Sequence, residues 1–241
     1  MNKLTRNIDR QTFVDGIART ANSTLASVFF EEKKPYAKPQ NVSGQLKRRY
    51  QKMTSKSEIK IFAETDRFIL REILPTDVEG LFELDFDPEV HRYLGNKPVT
   101  DRAQIIDVIN FIRKQYIDNG IGRWAIIEKK TNDFIGWTGL KFVTDLTNNH
   151  QNYYDLGYRL IRKYWGQGIA TETAMISLDY AFTILKVEEV FAAASCENIG
   201  SNKILQKIGL NLIETYYYED IECNWYKIDK NDYERNRKPN R

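Results

Sequence analysis

One run of the chain limits its fold more than any other: Asp155-Leu-Gly-Tyr-Arg-Leu-Ile-Arg-Lys-Tyr-Trp-Gly-Gln-Gly-Ile-Ala-Thr-Glu-Thr-Ala174. Leu156, Tyr158 and Leu160 alternate with Asp155, Gly157 and Arg159, the period-two pattern of a strand with two unlike faces. A turn bearing Gly166 and Gly168 follows, and glycine takes positive φ without steric cost. Beyond it Ala174, Leu178, Ala181 and Leu185 recur at three- and four-residue intervals, which predicts an amphipathic helix. Strand, glycine turn and helix in that order build an anion site. The first amides of a helix lack internal partners, the macrodipole adds partial positive charge there, and glycines let a phosphate come close.

Two common phosphate motifs do not fit. Thr171 stands where the third glycine of G-x-G-x-x-G would fall, and no acidic residue follows at the distance a ribose needs. The Walker pattern fails because no Gly-Lys-Ser/Thr follows the turn. A short pyrophosphate-binding turn remains, and so does a plain strand-to-helix corner, which explains the Gly-x-Gly alone equally well.

The residues around the turn carry more. Tyr164-Trp-Gly-Gln-Gly-Ile-Ala-Thr-Glu172 resembles the acetyl-CoA signature of the GNAT N-acetyltransferase superfamily, Gln/Arg-x-x-Gly-x-Gly/Ala, with Trp165 at the first position, Gly168 at the fourth and Ala170 at the sixth. Trp in place of Gln or Arg resembles the Rim-type branch, which acetylates ribosomal-protein N-termini. Four further landmarks follow that branch in order: Glu64-Thr-Asp-Arg-Phe-Ile-Leu-Arg71, Asp87-Pro-Glu-Val-His-Arg-Tyr-Leu-Gly95, Ile135-Gly-Trp-Thr-Gly-Leu140, and Asn198-Ile-Gly-Ser201 with Lys207-Ile-Gly-Leu210. The resemblance spans roughly residues 58–234.

The resemblance implies attack of an amine on the thioester of acetyl-CoA, the co-substrate, through a tetrahedral intermediate. Such a reaction needs a held cofactor, an oxyanion donor, a deprotonated amine and a proton for the leaving thiolate. It assigns the pyrophosphate to backbone amides of Trp165, Gly166, Gln167, Gly168, Ile169 and Ala170, with the Thr171 hydroxyl beside them. Arg162 and Lys163 could add charge there. Pantetheine would pair with the open edge near Arg159, Leu160 and Ile161, the Leu160 amide polarising the thioester carbonyl. Relatives often protonate the thiolate with a tyrosine seven residues after the position matching Asn198, but that residue here is Leu205. The Rim-type alternative is Ser201, which an ordinary helix cap explains as well. Asn198 is expected to hold cofactor or helix geometry. Asp155 matches the acidic strand residue that serves as base through a water, although a rim charge is the plainer reading. His91 and His150 read as structural or solvated, and no His/Cys cluster suggests a metal.

Charge is unevenly spread. Residues 1–57 carry 12 basic against 4 acidic side chains, residues 58–234 carry 20 against 29, and the last seven add four basic and no acidic ones. An acidic body could steer a cationic amine, and the basic ends could meet RNA, a ribosome or other acidic surfaces, or simply be solvated. No apolar run approaches the ~20 residues of a membrane span, and the N-terminus lacks the apolar core of a signal peptide. Cys196 and Cys223 lack metal-ligand spacing. These features predict a cytoplasmic protein with reduced thiols.

The expected organisation is a basic extension over 1–57, partly disordered or helical with a helix near Thr12–Ser27; one catalytic domain over 58–234; and a basic tail over 235–241. Strands over Arg67–Ile73, Arg123–Lys130, Phe134–Val143, Val187–Ser195, Leu210–Tyr218 and Glu222–Ile228 alternate with helices over Val78–Phe86, Pro88–Leu94, Arg102–Asp118 and Ser201–Ile208. That mixture predicts an α/β (α+β) fold on a mostly antiparallel sheet. By resemblance it is the GNAT fold, in which the strands ending near Leu160 and Ser195 splay to admit pantetheine. The reaction implied is acetyl transfer to a protein N-terminal amine. A polyamine or antibiotic acceptor, or a non-catalytic acyl-CoA-binding module, are the alternatives.

Overall fold

The computed structural model describes residues 59–237. The expected extension and its helix near Thr12–Ser27 lie outside the described residues, as does the end of the basic tail.

The strands are β1 (Ile61–Glu64), β2 (Phe68–Glu72), β3 (Trp124–Glu128), β4 (Phe134–Val143), β5 (Tyr153–Leu160), β6 (Glu189–Ser195), β7 (Asn211–Tyr218) and β8 (Ile221–Asp229). The helices are α1 (Val78–Phe86), α2 (Pro88–His91), α3 (Arg102–Asn119), α4 (Ile169–Tyr180), α5 (Ile199–Lys207) and α6 (Lys230–Arg237). Local chemistry sets several boundaries. The Asp101 carboxylate accepts from the Gln104 amide and the Gln104 side chain returns to the Asp101 amide, a capping box that starts α3; Gly120 ends it at φ 69°. Pro88 stops α1 and opens α2, where the Asp87 side chain accepts from the Glu89 amide.

Eight strands form one sheet in the order β1-β2-β3-β4-β5-β6-β8-β7. Every neighbouring pair is antiparallel except β5 and β6. These two parallel strands share a single paired position, Asp155 with Phe191, near the start of both. From there, residues 156–160 of β5 and 192–195 of β6 diverge, which matches the expected splay.

Apolar side chains cover both faces. Leu156 and Leu160 of β5 pack with Ala174 and Leu178 of α4, whereas Trp137 and Ile161 pack with Leu81 and Leu84 of α1 and Ile105 and Ile109 of α3. Burying each such aliphatic side chain contributes about 1.5–3 kcal/mol, so helices on either face hold the splayed strands in place.

Two elements fall outside the sequence expectation. The short edge strand β1 pairs with β2 alone. Helix α6 runs across the boundary expected at residue 234. Tyr233 anchors it by stacking on Phe182 at 4.5 Å, while Arg237 pairs with Asp179. At the start of α5, Asn198 is the cap and accepts from the Ser201 amide at 3.0 Å, so Ser201 lies inside the first turn and the capping role expected of it belongs to Asn198.

Candidate active site

The site is the gap between β5 and β6 together with the turn that leads into α4. Along β5 the Ile161 amide donates to Ile135 O on β4 at 3.0 Å. Backbone groups alternate sides along a strand, so those of Tyr158 and Leu160 face away from β4 toward the gap. A bulge in β4 sits beside this point: Ile126 pairs with Gly136 while Ile127 pairs with Phe134. A Cβ on Gly136, which has φ 151°, would lie 2.2 Å from Arg159 O. Only glycine lets β4 and the end of β5 approach that closely.

After β5 the chain makes one 3-10 turn, Arg162–Tyr164, and enters α4 through Gly166 and Gly168, at φ 74° and 75°. Nothing lies within 4 Å of a Cβ built on either glycine, so the turn is open on the side a ligand would approach. Gly168 is the N-cap of α4 and no side chain caps the helix among the described residues. The amides of Ile169, Ala170 and Thr171 are therefore left without helical partners at the positive end of the dipole. Ile169 and Ala170 bury their side chains, 3% and 8% exposed, and so fix those amides in place. The turn is braced: Arg67 donates to Gln167 O at 3.3 Å and to Glu172 at 2.9 Å, and Gln167 Nε2 donates to Lys163 O at 3.0 Å. Burial pushes the Glu172 carboxyl up, but its hydrogen bonds and the Arg67 charge outweigh this and hold it below its ordinary value. This open, uncapped cradle fits a pyrophosphate.

Several expected contributors have other work. Trp165 spends its amide on Arg162 O, 3.0 Å, and its indole N–H on Leu160 O, 2.8 Å. It therefore closes the corner instead of offering an amide to phosphate. Ile161 has both backbone groups engaged, its amide with Ile135 O on β4 and its carbonyl with the Tyr164 amide, so its amide points away from the gap. Leu160 retains its gap-facing N–H. Arg162 and Lys163 bond to Asp87 and Glu83 at 2.9 and 3.0 Å.

Asp155 meets a different arrangement from the one expected of a base. Its carboxylate pairs with the Arg123 guanidinium, and both side chains are buried, 10% and 7% exposed. Arg123 also donates to Gly139 O at 2.6 Å and to Asp155 O at 2.7 Å, and its carbon lies 5.2 Å from the Trp137 ring centroid. Gly157 leaves the room this guanidinium fills, since a Cβ there would come within 2.7 Å of it. Lys141, opposite Asp155 on β4, is buried as well; burial and the Arg123 charge push its pKa down to about 7.

Across the gap, the Tyr158 hydroxyl lies 3.1 Å from Ser201 Oγ and 3.1 Å from Ser201 O on α5. Burial pushes the Tyr158 phenol up, so it keeps its proton; the Ser201 hydrogen bond acts the other way and is smaller. Sequence reasoning gave Tyr158 no part in the chemistry and missed this contact. Its one available signal is that Tyr158 lies on the same strand face as Leu160. Asn202 braces α5 behind the pair: it donates to Ser195 O and Asn198 O, both at 2.8 Å, and accepts from Asn224 and the Tyr226 hydroxyl. His91 is 1% exposed and structural, and His150 stacks on Trp225 with centroids 5.5 Å apart.

Comparison with known proteins agrees with this geometry. Residues 67–211 match the Acetyltransferase (GNAT) domain family. The uncharacterized N-acetyltransferase p20 of Bacillus licheniformis is 33% identical over 144 residues, 60% of this chain and 79% of that protein. The uncharacterized N-acetyltransferase YoaA of Bacillus subtilis is 30% identical over 173 residues, 69% of this chain and 96% of that one. Among solved structures, the spermidine N-acetyltransferase of Vibrio cholerae in complex with CoA and spermine shares the fold at a TM-score of 0.58, covering 70% of this chain and 99% of that one at 18% identity. With splayed strands, an uncapped phosphate cradle and the family match in agreement, the chain belongs to the GNAT family of acetyl-CoA-dependent N-acetyltransferases.

Proposed function

We propose that this enzyme moves the acetyl group of acetyl-CoA to a protein N-terminal α-amine by direct attack on the thioester, as Rim-type enzymes do. The observation that carries the transfer is that β5 and β6 share one paired position, Asp155 with Phe191, which leaves the Leu160 N–H on an open edge beside the uncapped start of α4. Bound acetyl-CoA supplies an acetyl thioester whose carbonyl carbon accepts the amine lone pair as the C–S bond breaks. Amides of Ile169, Ala170 and Thr171, with Gly166, Gln167 and Gly168 shaping the turn, hold the pyrophosphate. The Leu160 N–H donates to the carbonyl oxygen as negative charge develops on it. Tyr158 and Ser201 pass a proton to the departing sulfur, and the phenol regains one from solvent. Asp155 keeps Arg123 beneath β5; the amine enters neutral and sheds its extra proton to water. Asn198 shapes the slot wall by capping α5.

The five ordered sequence landmarks favour the peptide acceptor. A second reading, a polyamine, is favoured by the acidic body, with 29 acidic against 20 basic side chains over 58–234. The two separate in a thiol-release assay with mass detection. An acetyl mass shift on a peptide N-terminus but not on spermidine supports the first reading, and the reverse supports the second. No transfer to either, across a broader amine panel, would overturn both.

A further inference from the structure

Three cations lead from β5 into the phosphate turn, and each meets a carboxylate at or just beyond the end of α1. Arg159 Nη1 lies 2.6 Å from Asp85 Oδ1, Arg162 Nε 2.9 Å from Asp87 Oδ2, and Lys163 Nζ 3.0 Å from Glu83 Oε1. The pairs are unlike. Lys163 and Glu83 are 58% and 52% exposed, so solvent and salt screen them. Arg159 and Asp85 are 9% and 3% exposed. The Arg159 guanidinium carbon also lies 5.2 Å from the Trp137 ring centroid, and Arg123 faces the same ring at 5.2 Å. The same Asp85 Oδ1 faces His91 Nε2 at 3.4 Å, in a side chain only 1% exposed.

Asp85 thus joins two parts of the site. Through Arg159 it reaches the residue before Leu160. Through its backbone carbonyl, which accepts from the Val99 amide at 2.9 Å, it holds the segment that runs from α1 through α2 to the start of α3. On the acetyltransferase reading, cofactor along β5 and at the start of α4 would lie on the α4 side of the sheet, which leaves for the amine the other side, where α1 and α2 pack. A buried ion pair contributes little net stability compared with an apolar pair of equal volume, and this one ties the end of β5 to α1 at 2.6 Å. Burial pushes the Asp85 carboxyl up, yet the Arg159 and His91 interactions outweigh it and hold it below its ordinary value. The carboxylate is charged at neutral pH.

We propose that Asp85 and Arg159 are positioning residues for acetyl transfer: their buried pair sets the end of β5, and with it the Leu160 N–H, against the α1–α2 layer from which the acceptor comes. The proposal rests on the acetyltransferase reading above.

Asp85→Glu, Arg159→Lys and, as a control, Glu83→Gln test it in the full chain. Coenzyme A binding is followed by calorimetry, unfolding by melting, and kcat by thiol release with the best amine of the panel. Asp85→Glu keeps the charge but moves it by one methylene. Lys at 159 keeps a cation but loses the planar fork that serves Asp85 and Trp137 together. The expected result is a fall in kcat of at least tenfold for both. Coenzyme A affinity should stay within threefold, melting should stay near wild type, and Glu83→Gln should be unchanged. A kcat within twofold of wild type, or loss of kcat, affinity and melting temperature together, overturns the proposal. If Asp85→Glu does not fold, Arg159→Lys decides by the same criteria. Wild-type protein that fails to bind coenzyme A would refute the acetyltransferase reading itself, a result distinct from either.

Discussion

Replacing Asp155 with Asn separates the two jobs a strand carboxylate could do. In the structure its charge is spent on Arg123, with side-chain exposures of 10% and 7%. Removing one partner of a buried pair typically costs about 3–5 kcal/mol, because the other charge stays buried without compensation. Arg123 keeps its bonds to Gly139 O and Asp155 O, at 2.6 and 2.7 Å, and its place against Trp137. The low end, about 3 kcal/mol, is therefore expected. For a domain of this size each kcal/mol moves the melting temperature by ~2–4 °C, which gives a drop of roughly 6–12 °C. Calorimetric melting measures it, and a pH profile of kcat accompanies it. The double variant Arg123→Met/Asp155→Leu, which removes both charges, should recover much of the loss. An Asp155→Asn protein that melts within about 2 °C of wild type, yet loses a hundredfold in kcat along with the acidic limb of its profile, would refute this reasoning and restore Asp155 as the base.

Two further outcomes follow from the buried polar groups. Tyr158→Phe should lower kcat by about 10²-fold, within the range of general-acid catalysis, while Ser201→Ala should lower it less. Acetyl-CoA affinity should hardly change in either, and equal loss of affinity would place the pair in binding instead of proton transfer. Lys141 has its pKa lowered to about 7 by burial first, whereas an unfolded lysine titrates near 10.4. Between those values the unfolded state binds more protons, so stability should rise with pH from about 7 toward 10, by at most about 1.4 kcal/mol per pH unit from this group. Urea unfolding of wild type and Lys141→Met at pH 7 and 9 checks it; an equal pH dependence in both would remove Lys141 as the cause.

What the sequence disclosed and what it hid divide along contact range. The strand, turn and helix over 155–174 were legible because their signals are local: alternation, two glycines, then helical spacing. Helix α1 was placed to the residue, since Pro88 marks its end. The splay came through resemblance, because divergence of two strands leaves no periodic trace, and the Asp155–Phe191 pairing emerged only in the structure. Strand β1 was missed: it is four residues long and its Ile61 is 49% exposed, so its identity rests on pairing with β2. Helix α6 was missed because its polar sequence has one apolar anchor, Tyr233, docked on Phe182. At the site, Arg123 and Asp155 are 32 residues apart, and Tyr158 and Ser201 are 43 apart. No local pattern announces such contacts. Gly157 inside a strand was the one hint that a large group approaches there. Ile161 and Trp165 were assigned by resemblance, which does not tell which amides the corner uses for itself.

On the reading proposed above, open backbone amides at the start of α4 hold the pyrophosphate. Gly168→Trp tests it most directly, because Gly168 sits at φ 75° with nothing within 4 Å of an added Cβ, so a bulky side chain fills the approach without striking the core. The left-handed backbone costs a non-glycine residue only about 1–2 kcal/mol, so the domain should still fold, and melting confirms it. Titrating acetyl-CoA calorimetrically into wild type and Gly168→Trp should give saturable binding to the first and none measurable to the second. Binding to a folded Gly168→Trp protein within threefold of wild type would contradict the account.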